Sequence, residues 1–191
     1  MIFLSLGSNL KSPDGNFNRF ENIDSAIKTL ISYGYSVIKK SSYYETPSYP
    51  NKNNPKFINI AISFKCKKQD ISPKDQTKKL MNIIIQIENK YKRIRNKKNA
   101  PRSIDIDIID YNGNVLEFKL TDKETIKIPH ERLGLRNFVL FPLKEICPDW
   151  IHPLTRKSID DLINELSEID KKSILKVQHT WYNKICLIKK I

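Results

Sequence analysis

Two aspartates stand two residues apart in Arg102-Ser103-Ile104-Asp105-Ile106-Asp107-Ile108-Ile109. On a strand, alternate residues share a face and lie roughly 6.5–7 Å apart along the chain. Ile104, Ile106 and Ile108 then enter a core, and Asp105 and Asp107 stand together on the other face. Neighbouring carboxylates repel, and one pKa rises, unless a cation lies between them. Hard oxygen ligands of this kind suit Mg²⁺, which takes one or two carboxylates and completes its shell with water and phosphate. A solvated strand face carrying two ordinary acids fits the same residues.

The segment before the pair is strongly basic. Lys90, Lys92, Arg93, Arg95, Lys97, Lys98 and Arg102 put seven bases into thirteen residues. Polyphosphate chemistry uses this juxtaposition: a metal neutralises bridging oxygens while guanidinium forks hold the rest bidentately. The competing reading is a solvated or nucleic-acid-binding run. Phe57 and Asn59 share one face of an alternating strand, an aromatic ring beside an amide. That pair suits a flat heterocycle, stacked on the ring and read along its edge by the amide; a strand-edge ring and a structural amide are the alternative. Ile128-Pro129-His130 leads through Arg132 and Arg136 to Phe138. His130 also suits a helix cap, and His152 and His179 read as structural or surface residues.

These residues need elements to hold them. Ile2–Leu6 reads as a first strand stopped by Gly7-Ser8-Asn9. Phe20, Ile23, Ile27, Leu30 and Ile31 recur at helical spacing, and Gly34 stands where a C-terminal cap belongs. Val37–Tyr44 reads as one second strand, 46–55 as a proline- and asparagine-rich loop, and Phe57–Phe64 as the clearest strand. Ser72-Pro73 opens a helix with Leu80, Ile84, Ile87 and Tyr91 as its buried stripe. Ser103–Tyr111 alternates again, and Asn112-Gly113 predicts a hairpin with a partner strand over Val115–Phe118. A short helix around Phe138–Ile146 and a polar helix over Ser158–Ser167 follow. The order is β-α-β-β-α-β: an α+β, ferredoxin-like core, with an antiparallel sheet, helices on one face and a C-terminal extension.

Composition narrows the classes. The chain has 191 residues, 39% hydrophobic and 29% charged, with 34 Lys+Arg against 21 Asp+Glu and a formal charge of +13. That length suits one domain, here 1–191, and leaves no room for an additional barrel of ~250 residues. The charge favours anionic ligands without choosing among them. No apolar run reaches the ~18–20 residues of a membrane helix, and the apolar opening lacks the basic start of a secretory signal. Three cysteines, Cys66, Cys147 and Cys186, without a CxxC pair, point to neither disulfides nor zinc, and a reducing cytoplasm is expected. Five glycines form neither GxxxxGK[ST] nor GxGxxG.

Four blocks in order resemble the 6-hydroxymethyl-7,8-dihydropterin pyrophosphokinase family of folate biosynthesis. They are Leu6-Gly7-Ser8-Asn9-Leu10; Tyr44-Glu45-Thr46-Pro47 with Phe57-Ile58-Asn59; Pro101-Arg102-Ser103-Ile104-Asp105-Ile106-Asp107; and Pro129-His130 through Arg136-Asn137-Phe138-Val139-Leu140 to Pro142-Leu143. The resemblance covers 6 to about 153 and leaves 154–191 as an extension. It implies a ferredoxin-like fold and transfer of pyrophosphate from ATP to the pterin hydroxymethyl group, releasing AMP. By position, Asp105 and Asp107 would hold two Mg²⁺ ions. Thr46, Pro47, Phe57, Asn59 and Phe138 would line the pterin slot. Glu88, Arg93, Arg95, Arg102, His130 and Arg136 would contact ATP or the moving phosphates, with Arg93 and Arg102 closest to the transfer. The partners expected are these small molecules alone, with no nucleic acid and no membrane, and a monomer is the default. The chain departs from the family pattern at Lys98-Asn99-Ala100, where relatives carry an aromatic–glycine pair, and at Ile85, where many carry a polar residue.

Two rival functions fit parts of the pattern. One is a basic ferredoxin-like module that binds RNA on its sheet; no strand has the aromatic-rich pattern this needs, and an acid pair repels phosphate without metal. The other is a different metal-dependent nucleotidyl transferase, against which Phe57 and Asn59 argue.

Overall fold

β1 (Ile2–Ser8) and β4 (Phe57–Lys65) run antiparallel through the middle of a six-stranded sheet, with Ile2 opposite Phe64 and Ser8 opposite Ile58. This computed structural model describes residues 1–65, 70–92, 100–122 and 124–178. β5 (Asp105–Tyr111) pairs with the free side of β1, while β2 (Ser36–Lys40) and β3 (Tyr43–Thr46) share the far side of β4. Every one of these pairings is antiparallel.

α1 (Arg19–Ser32) starts at a capping box, in which Asn18 accepts from the Glu21 amide and Glu21 accepts from the Asn18 amide. Gly34 follows its end with φ +91, a conformation that a residue with a Cβ resists. α2 (Pro73–Lys90) has Ser72 as its cap and Pro73 at its first position. Both helices pack on the sheet face built from Leu4, Leu6, Ile58, Ile60, Ile62, Phe64, Ile106 and Ile108. The stripe Leu80, Ile84, Ile87 and Tyr91 is buried there, whereas Ile31 of α1 is 49% exposed and lies off its stripe.

The expectation of helices on one face needs correction. α3 (Asn137–Ile146) and α4 (Ile159–Asn164) cover part of the opposite face, against Phe3, Ala61 and Ile109. Alternation along β5 puts Ile109 on the face of Asp105 and Asp107, and a register shift opposite Phe3/Leu4 makes it the extra residue, so that Asp110 stands opposite Phe3 and Tyr111 opposite Ile2. That apolar patch needs cover, and α3 and α4 supply it. The acids lie beyond the patch, toward Gly7 and Phe57.

Other differences have local causes. β1 runs on through Gly7 to Ser8. The second strand is broken into β2 and β3 at Ser41, whose amide donates to the Ala61 carbonyl and whose hydroxyl accepts from the Ala61 amide, so β4 keeps its hydrogen bonds across the break. Asn112 and Gly113 do form a turn, with φ 54 and φ 71 and the Asn114 amide on the Tyr111 carbonyl. The strand after it, β6 (Leu116–Thr121), pairs not with β5 but with β7 (Glu124–Ile128) in a separate two-stranded sheet. The polar helix over Ser158–Ser167 ends at Asn164, and Ser167 caps a further short helix, α5 (Glu168–Lys172). β8 (Leu175–Val177) then pairs with β3 and extends the main sheet.

Candidate active site

Strand register builds the site. Asp105 of β5 stands opposite Gly7 of β1, Gly7 stands opposite Asn59 of β4, and Asn59 stands opposite Tyr44 of β3. Asp107 is one step along, opposite Ser5. At about 4.8 Å per strand, the acid row and Asn59 lie roughly 10 Å apart on one face.

Each acid is held by an arginine, and each arginine covers a ring. Arg102 donates to Asp105 at 2.9 Å, and its guanidinium lies 5.8 Å from the centre of the Phe57 ring. Arg136 donates to Asp107 at 3.1 Å and lies 5.4 Å from the Phe138 ring. The rings are thus tied to the acid pair through cations that both faces attract. Burial pushes the Arg136 pKa down, and Asp107 pulls it back up.

Asn59 is buried, and its Nδ2 donates to Thr46 Oγ1 at 2.9 Å, which fixes the amide plane. Phe57 and Pro47 are half-buried at the same end of the sheet. Phe57, Asn59 and Thr46 therefore stand together beside Gly7, with the amide and hydroxyl in set orientations.

A cavity of about 470 Å³ lies between β5 and β7. Ile106, Asp107 and Ile108 form one wall, Thr125 to Ile128 the other, and His130 closes one end. His130 Nδ1 accepts the Arg132 amide at 3.0 Å, so in the neutral ring the proton sits on Nε2. Burial pushes the His130 pKa down, opposed by Asp107. Glu88 is fully buried in α2, and its Oε1 accepts the Ile106 amide at 3.1 Å, which pins β5 from behind the cavity wall.

The site thus gathers Arg102, Asp105, Asp107, Arg136 and Phe138, with Phe57, Asn59 and Thr46 on the same face, Pro47 next after Thr46 and His130 beside Asp107. Glu88 supports the strand from within. Arg93 and Arg95 lie outside the described residues, as do Cys66, His179 and Cys186. The donor set fits a divalent cation carried in with phosphate: two carboxylates share a face, and among the described residues no group of three or more acids, histidines or cysteines encloses an ion. Among the described residues, no helix is long and apolar enough to cross a membrane.

Sequence reasoning missed three contributors. β7 is the far cavity wall, although Thr125-Ile126-Lys127-Ile128 alternates. The run Gly7-Ser8-Asn9 reads as a stop signal, whereas in the fold Gly7 leaves space and Asn9 ties segments together.

The family model described as 7,8-dihydro-6-hydroxymethylpterin-pyrophosphokinase matches residues 3–148. A protein named 2-amino-4-hydroxy-6-hydroxymethyldihydropteridine pyrophosphokinase in Aquifex aeolicus is 32% identical over 160 residues, covering 84% of this chain and 88% of that one. One of the same name in Synechocystis is 33% identical over 147 residues, covering 76% and 69%. The folic acid synthesis protein FOL1 of Dictyostelium discoideum is 35% identical over 154 residues, and the match spans 80% of this chain but only 20% of that relative. Among solved structures, a Plasmodium falciparum HPPK-DHPS variant with pterin and p-hydroxybenzoate aligns at a TM-score of 0.67 and 16% identity, over 93% of this chain and 47% of that one. That likeness is one of fold. The chain belongs to the 7,8-dihydro-6-hydroxymethylpterin-pyrophosphokinase family.

Proposed function

We propose that this chain transfers the pyrophosphoryl group of ATP to 6-hydroxymethyl-7,8-dihydropterin, giving the pterin diphosphate and AMP with Mg²⁺ as the metal. The observation that carries this reading is the single rung Asp105–Gly7–Asn59, which sets an acid pair and a ring-and-amide slot side by side. The strand order β5-β1-β4-β3, all antiparallel, with α1 and α2 on one face, supports a ferredoxin-like core. The family match ends at 148, yet α4 packs against α3 and β8 extends the sheet beside β3. This supports one domain in which the extension is part of the body.

Phe57 and Phe138 are suited to sandwich the pterin ring, with the Asn59 amide and Thr46 hydroxyl at its edge. ATP fits with its nucleoside in the cavity between β5 and β7 and its phosphates toward Asp107. Asp105 and Asp107 would hold Mg²⁺ brought in with the triphosphate, two ions in this reading, which would supply charge neutralisation. Arg102 and Arg136 would then turn from those acids to the phosphate oxygens. His130 donates from Nε2 to a phosphate oxygen, and Glu88 keeps β5 in place. Arg93 and Arg95 remain assigned to the phosphates. The pterin hydroxyl oxygen bonds to the β-phosphorus and gives its proton to water as the bond from that phosphorus to the α,β-bridging oxygen breaks, and AMP leaves with that oxygen. The work of the protein is positioning and charge stabilisation.

The test is incubation with MgATP and the dihydropterin alcohol, followed by analysis of both products. AMP and pterin diphosphate in equal amounts are expected. ADP as product, or AMP release independent of the pterin, overturns the reading.

A further inference from the structure

Asn9 is 2% exposed, at the end of β1, and its side chain bridges two segments from elsewhere in the chain. Its Nδ2 donates to Ser48 Oγ at 3.2 Å and to the Pro55 carbonyl at 3.0 Å. Its Oδ1 accepts the Arg102 amide at 2.6 Å, while its own amide donates to the Arg102 carbonyl at 3.0 Å. Ser48 Oγ also donates to the Pro55 carbonyl at 2.6 Å, which closes the neck of the loop between β3 and β4.

The sheet does not hold that neck. The last β3–β4 pair is Thr46 with Phe57, and Ser48 and Pro55 lie beyond it. Arg102 precedes β5 and is fixed to the end of β1, where the Asn9 and Leu10 amides donate to its carbonyl and Ser103 Oγ donates to the Lys11 carbonyl. The Asn9 side-chain amide then links this anchored segment, with the arginine that reaches Asp105 and covers Phe57, to the loop that continues from Thr46-Pro47. Only asparagine offers two donors and an acceptor at this reach: aspartate lacks the donors, and leucine lacks both.

We infer that Asn9 is a positioning residue that couples closure of the 47–55 loop over the pterin slot to the placement of Arg102. The inference rests on the proposed reading of the slot. Substrate that orders the loop is then felt at Arg102, and the transfer site assembles only when both are seated.

Three variants separate the two arms. Asn9→Asp keeps the acceptor for Arg102 and loses both donors to the loop; it should raise the KM for the dihydropterin alcohol by about tenfold and leave the KM for ATP near that of the parent. Asn9→Leu loses both arms and should in addition lower kcat by about tenfold. Ser48→Ala should copy the Asn9→Asp effect, and combining the two should add little to either. Hydrogen exchange gives a readout that needs no turnover. In Asn9→Leu, segments 47–56 and 100–104 should both lose protection while the central strands keep theirs, whereas Ser48→Ala should expose the loop alone. Unchanged KM values with a lowered melting temperature, or a loss of protection spread evenly over the chain, overturn the inference. If the Asn9 variants fail to fold, the pterin KM and loop exchange of Ser48→Ala decide it. A parent protein that makes no pterin diphosphate overturns the functional reading instead, and exchange in these segments still tests the coupling.

Discussion

Gly7 lies so close beneath Asn59 that a Cβ added to it would sit 3.1 Å from Asn59 Oδ1. The Phe57 ring would be 3.5 Å away. This glycine is needed for space: β1 is regular here and pairs on both sides, with Asp105 and with Asn59. The bare backbone lets the Asn59 amide and the Phe57 ring settle against β1 beside Asp105.

Gly7→Ala should therefore act on binding more than on folding. A methyl group in a strand restricts the unfolded chain by about 0.4–1 kcal/mol, which offsets the crowding of Asn59. The melting temperature should move little, while the KM for the pterin rises by about tenfold and that for ATP stays level. Steady-state kinetics with each substrate varied in turn checks this. Unaltered pterin binding would mean that the slot does not extend over Gly7.

Asp107→Asn should lower turnover by about a hundredfold or more, the scale on which a charge aimed at a developing transition state contributes. Its side chain is 32% exposed, so the fold should survive the loss of the Arg136 ion pair. AMP formation under saturating MgATP, with circular dichroism as the control for folding, is the measurement. A folded variant with parental kcat would remove Asp107 from the site.

The central strands were legible because burial on one face imposes a period of two. Ile58, Ile60, Ile62 and Phe64 alternate, are all at most 1% exposed, and the face they define fixed the side of Asn59. The acid pair could be read for the same reason. The β5 bulge could not, because one extra residue after Ile108 moves Asp110 and Tyr111 to the faces opposite those that alternation gives them, and no local pattern marks it. Nor could the cover on the acid face, because the patch that α3 and α4 bury is assembled from Phe3, Ala61 and Ile109 on three strands distant in sequence. Asn112-Gly113 encodes a turn, but a turn signal does not name the partner of the next strand. Asn9 was hidden because its partners, Ser48, Pro55 and Arg102, are distant in sequence, and a polar residue after a strand looks like any loop residue.

His130 should make stability depend on acid. Burial lowers its pKa from 6.5 in the folded chain, so below about that pH the unfolded chain binds a proton that the folded chain resists. Stability contributed by the neutral ring is thus intact above pH 6.5 and falls as the pH drops below it. His152, also lowered by burial, adds to the same slope. His130→Gln should flatten part of the slope between pH 7.5 and 5.5 in urea denaturation (about those values, chosen to bracket the ordinary histidine range). Parallel pH profiles for parent and variant would show that the ring is not held neutral by folding.

The indole of Trp150 ties the cover of the second face to β5. Its Nε1 donates to Asp110 Oδ2 at 2.8 Å, and Asp110 Oδ1 accepts the Gly113 amide at 2.7 Å. Asp110 is 4% exposed, so its carboxylate oxygens rely on these two donors in place of water. Trp150→Phe keeps most of the apolar contact with Ile109 and Leu143 but leaves one buried carboxylate oxygen without its donor. The expected loss is about 1–3 kcal/mol of folding free energy, with both KM values unchanged because the indole lies under α3 and α4 and away from the slot. Urea denaturation of the purified variant gives the first quantity and substrate saturation curves the second. A variant as stable as the parent would mean that this hydrogen bond contributes nothing to folding and that the indole contact is packing alone.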